Sequence, residues 1–493
     1  MNGMQQNQEG TPSVPENRIP ERSEGQSTAK PRIHPLIVFL VLGGLAGFAA
    51  VLAFFPAKSS ELLMSLSYGR GIVNGTISLG AEPFSLILGN FWANPHWLFD
   101  VLAFLVLRLD HYEGFVLIAC KSLFISFSVV FLIAKFCWQF PNLSPLIALL
   151  AAMGLLAASP YFETNSHAIA FPMILFLIGL LLARSEANSK IPWNLCLVLL
   201  MAIWANLDSS FVFGIVAWLL FVILPEDRIS KRNNFLIWLA ALITCFAHPF
   251  PGRGLIEIPE ILAPIGEVSK RMDSQVVDRL FESGLSLQRY SSSQLALNPA
   301  GLAFPALIIL GIASFSLNSK ACKTWKLPVF LLALGLAAYR HKAIPIFCGI
   351  AIPVACLNLI QMAAINEKWS EISRKGGVFS LLLLFIASLL SLPGFLHGSG
   401  VNHRTPGWGL SLRDSQKALA EFMAKDHLRY PGNALIASLG YPDHAAYVAW
   451  FAPGVRTFVD PRLHLFASNY GNFAAMVEAL AKPDSTNSNQ ETE

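Results

Sequence analysis

Trp97-Leu98-Phe99-Asp100-Val101-Leu102-Ala103-Phe104-Leu105-Val106-Leu107-Arg108-Leu109 is the stretch whose reading decides the topology of this chain. It is apolar enough to be taken for a membrane crossing. As a helix, however, it reaches only about 20 Å at roughly 1.5 Å per residue, whereas the hydrocarbon layer is about 30 Å thick. A crossing here would also invert every later loop. The segment therefore reads as a helix lying in the membrane–water interface, with Trp92 and Trp97 at headgroup level.

The chain around it is built for lipid. Of its 493 residues, 54% are hydrophobic and 13% charged, and the mean hydropathy is +0.53. Apolar runs recur at about 36–55, 114–135, 145–158, 168–184, 192–205, 211–224, 234–249, 301–317, 327–338, 343–362 and 378–396. This predicts an all-α polytopic membrane protein with about eleven transmembrane helices. With a cytoplasmic N-terminus, the inner loops hold Lys135, Arg184, Lys190, Arg228, Lys231, Arg232, Lys320, Lys323, Lys326, Lys368, Arg374 and Lys375. The short outer loops hold only Arg340 and Lys342. That asymmetry places the N-terminus inside and the C-terminus outside the cell (inner or plasma) membrane. It also accounts for the formal net charge of +4 without invoking nucleic acid. The seven cysteines fall in spans or inner loops, so no disulfide framework is expected.

Residues 1–33 read as a disordered cytoplasmic tail, 34–397 as the membrane domain and 398–481 as a small α/β extracytoplasmic domain. Residues 482–493 read as a second disordered tail. Within 398–481, helices are expected at Leu412–Asp426 and Asp443–Phe451, and strands at Asn433–Ser438 and Val455–Asp460. Asp460 and Arg462 are placed to pair with each other or to reach the membrane site. Lys121 falls inside the second span, where snorkelling toward the interface would relieve its charge.

The long loop after the first span, about 56–113, opens on Glu61-Leu62-Leu63-Met64-Ser65-Leu66-Ser67-Tyr68-Gly69-Arg70. An acid just outside a bilayer, followed by an arginine and an aromatic interfacial helix, suits the binding of a lipid phosphate. His96, Asp100, Glu163, His167, Asp208 and His248 lie on the same side, and polar residues so gathered suggest a shared cavity. The chain shows no phosphate-cradling glycine loop, dinucleotide fingerprint, serine nucleophile elbow or zinc spacing. A divalent metal is compatible with the Asp and His residues, but no ligand pattern supports one.

This layout resembles the GT-C class of membrane glycosyltransferases, the superfamily of protein O-mannosyltransferases and aminoarabinose transferases. The resemblance rests on Glu61 to Arg70, on Asn74-Gly75, and on Trp92-Ala93-Asn94-Pro95-His96-Trp97-Leu98-Phe99-Asp100. Further stretches resemble a less characterised bacterial branch: Trp204-Ala205-Asn206-Leu207-Asp208-Ser209-Ser210-Phe211, His248 to Gly252, Tyr339-Arg340-His341-Lys342-Ala343-Ile344-Pro345, and Phe458 to Leu463. The resemblance implies transfer of a sugar from a polyprenyl-phosphate carrier to an acceptor on the outer face. Glu61, His96 and Asp100 then become catalytic candidates. Arg70, Asn94, Asp208, Arg340, His341 and Lys342 become substrate-binding candidates, with the arginines gripping phosphate through a bidentate fork.

The chain departs from the family pattern in carrying Glu61 for an aspartate, Asn94-Pro95-His96-Trp97-Leu98 for Asn-His-Glu-Trp-Leu, and Asn206-Leu207-Asp208-Ser209-Ser210 for Asn-Leu-His-Gly-Gly. A non-catalytic member and a transporter of a lipid-linked solute are the alternatives. The orientation has a direct test. A fluorescent cytoplasmic reporter at Gln26 and a secreted-phosphatase reporter at Ser485 should both be active, and a cytoplasmic reporter active at Ser485 would shift the span count by one.

Overall fold

The computed structural model describes residues 35–58, 60–86, 91–185, 192–224, 231–250, 285, 298–365, 377–397, 404–429, 443–458 and 460–466. The two expected tails and the strand expected at Asn433–Ser438 lie outside these residues. Six stretches are helical, long and apolar enough to cross a membrane: Pro35–Ala53, Phe115–Gln139, Pro141–Tyr161, Ser166–Arg184, Pro299–Leu317 and His341–Ala363. Shorter apolar helices occupy Trp193–Leu207, Phe211–Ile223, Asn233–Thr244, Lys326–Tyr339 and Phe379–Ser391. In lipid a backbone must satisfy its own polar groups, and helices do so locally. The chain is thus a multi-pass membrane protein, and its described part is mostly helical.

We number the first helices α1 (Pro35–Ala53), α2 (Ser60–Val73), α3 (Trp97–Leu109) and α4 (Phe115–Gln139). The bundle core is shared by α1, α4 and the later apolar helices. Alternate helix ends meet at one end of the bundle, where the loops bond to one another. Ser159 Oγ and His397 Nε2 share a hydrogen bond of 2.8 Å, and Asn298 Nδ2 donates to His397 O at 3.0 Å. Trp97 Nε1 donates to Asn206 Oδ1 at 2.8 Å. Lys121 reaches this end as well: its Nζ donates to Phe162 O at 3.0 Å and lies 4.0 Å from the centre of the Phe55 ring.

Helix α3 forms over the residues expected and buries Asp100, Ala103, Phe104 and Leu107. Leu102, Leu105 and Leu109 remain exposed on its other face. A tight reversal stops it from running on into α4. His111 (φ 55°), Tyr112 (φ 72°) and Gly114 (φ 85°) are all left-handed, and Asp110 Oδ2 accepts the Val116 N–H at 2.8 Å. A left-handed residue interrupts a right-handed helix.

Beyond the bundle, the helices Asp414–Arg429 and Asp443–Phe451 form as expected. The second packs on α2 and the first packs on the second, in a cluster that joins Leu63, Met64 and Tyr68 to Ala420, Met423 and Val448. The strand expected over Val455–Asp460 is corrected to a single parallel bridge between Ser85 and Thr457. Thr457 N donates to Phe84 O at 2.7 Å and Leu86 N to Thr457 O at 3.0 Å. No ladder extends that pair, because its partner is itself a loop; among the described residues there is no strand.

Helices α2 and α3 cross at Gly69, where an added Cβ would lie 2.1 Å from Asp100 O. Gly69→Ala should therefore force the helices apart and destabilise the protein by roughly 1–3 kcal/mol, the usual cost of overpacking. Gly43→Ala, which meets nothing within 4 Å, serves as the control. Equal thermal midpoints for the two variants in detergent would refute the close crossing.

Candidate functional site

Helix α2 supplies one wall of a cavity of about 70 Å³. Glu61, Met64, Ser65 and Tyr68 line it at i, i+3, i+4 and i+7, which is one helical face. Asn94, His96 and Asp100 face them from the start of α3, and Asn165 and His167 from the turn before the helix Ala170–Ser185. Arg462, Phe84 and Trp92 close the remaining side.

Glu61 is held from two directions. Asn165 Nδ2 donates to its Oε2 at 3.0 Å, and Lys342 Nζ lies 3.4 Å from its Oε1. Asn165 also caps the 3-10 turn Ser166–Ile169 by accepting the Ala168 N–H. That second bond fixes which end of its amide faces Glu61.

Asp208, wholly buried, lies between two histidines. Its Oδ1 is 3.2 Å from His167 Nδ1 and 3.8 Å from His96 Nδ1. The two imidazoles meet edge to face with centroids 5.7 Å apart. Its Oδ2 accepts the Ser210 N–H at 2.8 Å. Burial alone would raise its pKa. The hydrogen bond and charge of His167, the charge of His96 and the bond from Ser210 outweigh that and hold the carboxyl below its ordinary range. Asp208 thus faces Nδ1 of both imidazoles, with His167 within hydrogen-bond distance and His96 farther off.

Asp100 behaves in the opposite way. Desolvation pushes its pKa up to about 7, against hydrogen bonds from Asn94 and Ser65 and the charge of Arg462. Asn94 Nδ2 donates to its Oδ2 at 2.6 Å, and Asn94 Oδ1 accepts the His96 N–H at 2.9 Å. The cavity thus holds one carboxyl that keeps its proton to near neutrality, and two of its lining histidines, His96 and His167, point at the buried Asp208 behind them.

Arg462 ties the C-terminal segment over the cavity. Its Nη1 and Nη2 donate to Glu82 at 2.6 and 3.0 Å. Its Nε donates to Asp460 Oδ1 at 3.0 Å, and Nη2 also contacts Asp460 Oδ2. The guanidinium stacks over Trp92, 4.3 Å from the ring centre. Burial lowers its pKa, but Asp460 and Glu82 raise it by more, so it stays charged.

Not every candidate converges here. Arg70 points away, donating to Ala449 O and Trp450 O at 3.2 and 2.8 Å; it caps the end of the helix Asp443–Phe451. Arg340 is buried with its guanidinium 4.7 Å from the centre of the Tyr339 ring, and it does not line the cavity. His341 packs against Tyr161. Asn165 and Glu82 are absent from the sequence-derived candidates. Asn165 carries no motif, and the partner of Glu82 lies 380 positions away. Among the described residues, no group of three or more His, Cys, Asp or Glu side chains has the geometry to hold a metal ion.

The shifted Asp100 predicts a pH dependence. Below about pH 4 both folded and unfolded chains hold this proton. From about 4 to about 7 only the folded chain does, and above 7 neither does. Its contribution to stability is therefore full at low pH and lost as pH rises through 7, on the order of 4 kcal/mol for three pKa units. Asp100→Asn should flatten the fall in unfolding midpoint between pH 5 and pH 8. Equal slopes in wild type and variant would show that another group titrates.

No family model matches this sequence, and no curated protein matches it. Solved structures do match. An oligosaccharyltransferase from Archaeoglobus fulgidus, AglB, in complex with an inhibitory peptide and a dolichol-phosphate, superposes with a TM-score of 0.54 at 9% identity, over 89% of this chain and 68% of that one. The Archaeoglobus fulgidus enzyme tethered to an acceptor peptide gives 0.55 at 11% identity, and its apo form 0.55 at 10%, with the same coverage. This chain therefore shares the fold of these oligosaccharyltransferase structures.

Proposed function

We propose that this protein is a GT-C-type glycosyltransferase. It takes a sugar from a polyprenyl-phosphate carrier and transfers it to a hydroxyl or amine at the extracytoplasmic face, with all eleven apolar helices crossing the bilayer. The observation that carries this reading is the meeting of Glu61, Asn165 and Lys342 with the His96–Asp208–His167 group at one end of the bundle. The dolichol-phosphate bound by the structural neighbour supports a lipid-phosphate donor.

In this reading Glu61, oriented by Asn165 and Lys342, accepts the acceptor's proton as the new glycosidic bond forms. The bond between the sugar and the carrier phosphate breaks, and its electron pair leaves on that phosphate. Lys342 is the cation within reach of Glu61, so it replaces Arg340 as the group that meets the phosphate charge. Asp100, protonated to near pH 7, is placed to donate a hydrogen bond. A cavity of about 70 Å³ holds only a few water-sized groups, so the sugar sits at its mouth or widens it.

Glu61→Gln keeps the shape and removes the base. Sugar transfer from a polyprenyl-phosphate donor should fall by roughly 10²–10⁴-fold, with donor binding preserved. Lys342→Met should weaken donor binding instead. Near wild-type turnover by Glu61→Gln would remove Glu61 as the base. Donor binding without transfer by any wild-type preparation would favour the non-catalytic alternative.

A further inference from the structure

A second cavity, of about 120 Å³, lies on the other side of α2. Where Glu61, Met64 and Ser65 face the first cavity, Ser60, Leu62 and Leu63 face this one. It is closed by main-chain bonds between the loop leaving α1 and the loop entering the helix Asp414–Arg429. Ala57 N donates to Gly409 O at 3.0 Å, and Ser411 N donates to Ala57 O at 2.8 Å. Ser60 Oγ donates to Asp443 Oδ1 at 2.7 Å, and Arg413 N donates to Tyr447 Oη at 2.9 Å.

Three features give this cavity an affinity for anions. Lys58 and Arg413 both line it and are exposed, with no carboxylate partner among the described residues. Gln416 lines it too; the residue is 93% buried, and its side chain has no hydrogen-bond partner among the described residues. Its amide opens onto the cavity, where a ligand can bond to it. The first turns of α2 and of the helices starting at Asp414 and Asp443 also meet here, and such turns present unsatisfied N–H groups. Against these, Asp443 is the single acid on the wall, and its Oδ1 is engaged by Ser60. Two cations and one carboxylate leave a charge of +1, which one phosphodiester neutralises.

The position identifies the source of that phosphate. Lys58 follows the end of the first membrane-spanning helix at Ala53 by five residues. Beside it runs a row of rings: Phe54 to Phe115 at 6.1 Å and Phe115 to Trp408 at 5.9 Å. Trp408 is 61% exposed and Phe115 47%. Exposed aromatic rings at the ends of spanning helices mark headgroup depth. We infer that this cavity is a binding site for the phosphodiester of an anionic phospholipid headgroup, gripped by Lys58, Arg413 and the Gln416 amide and separate from the Glu61 cavity.

The test uses the full-length protein in a neutral detergent, titrated with dioctanoyl phosphatidylglycerol, dioctanoyl phosphatidylcholine or inorganic phosphate. Binding is read from tryptophan fluorescence and from the shift in thermal midpoint. Wild type should bind the anionic lipid at least tenfold more tightly than the zwitterionic one. Lys58→Gln with Arg413→Gln should lose at least tenfold. Gln416→Leu, which removes only the amide, should lose severalfold while keeping the unliganded midpoint near wild type. Equal affinity of the double variant and wild type for phosphatidylglycerol would overturn the site. Inorganic phosphate that binds as tightly as the lipid would overturn the lipid source. Should the double variant fold poorly, Gln416→Leu alone decides: unchanged affinity rules the cavity out.

Discussion

The Arg462 guanidinium between Glu82 and Asp460 is the interaction on which the rest of the site depends. Both carboxylates are essentially removed from water, where a charge is costly unless it is paired and hydrogen-bonded. One planar fork meets both, bidentate to Glu82 and paired with Asp460. Glu82 is further engaged by the Phe84 and Ser85 N–H groups at 2.9 and 3.0 Å. Such a cluster does little for stability compared with a well-packed apolar one, but removing a single partner strands a buried charge at about 3–5 kcal/mol. The clasp therefore acts as an all-or-none joint between the first loop and the C-terminal segment. Trp92 lies under the guanidinium and contacts Tyr68 of α2 at 5.2 Å, so the joint also sets the roof of the Glu61 cavity.

Helix α2 depends on that joint and transmits it. Its 14 residues are too few for an isolated helix to hold in water. Packing on every side holds it instead. Leu62 and Leu66 join α3 and α4 through Phe104, Leu107 and Ile118. Leu63, Met64 and Tyr68 join the C-terminal helices, and Gly69 lets Asp100 approach to backbone distance. Arg70 locks the far end onto Ala449 and Trp450. A short helix wedged in this way moves only with its neighbours, which suits a wall shared by two cavities.

The membrane architecture was legible because lipid imposes it directly. Long apolar runs became helices, and the thirteen residues of Trp97–Leu109 became α3. Glu61, His96, Asp100 and Asp208 stood out as polar residues in an apolar chain, and the structure brings them to one end. Other features depend on geometry that sequence spacing does not carry. Arg340, His341 and Lys342 are adjacent, yet the extended backbone at Arg340 (φ −138°, ψ 125°) turns neighbouring side chains apart. Lys342 reaches Glu61, whereas Arg340 does not line the cavity. Arg70 lies nine residues from Glu61, two and a half turns along, and its side chain goes to the C-terminal helix rather than the cavity. Asn165 and Glu82 gain their roles only from partners about 104 and 380 positions away.

Identities of 9–11% beside TM-scores near 0.55 follow from the same division. Where a helix faces lipid tails, one apolar side chain serves as well as another, and packing asks mainly for fitting size. The bundle can therefore keep its path while nearly every residue changes. The loops at one end are under a stricter rule, because each buried charge needs a partner of the right sign and reach. Substituting one member forces a change in another. The chain carries Asp208, wholly buried, where the branch it resembles has a histidine, and His96 and His167 both turn toward it. Chemistry resides in such local sets rather than in the fold. In this protein the pairings around Glu61 and Asp208 are such a local set, held at one end of the bundle.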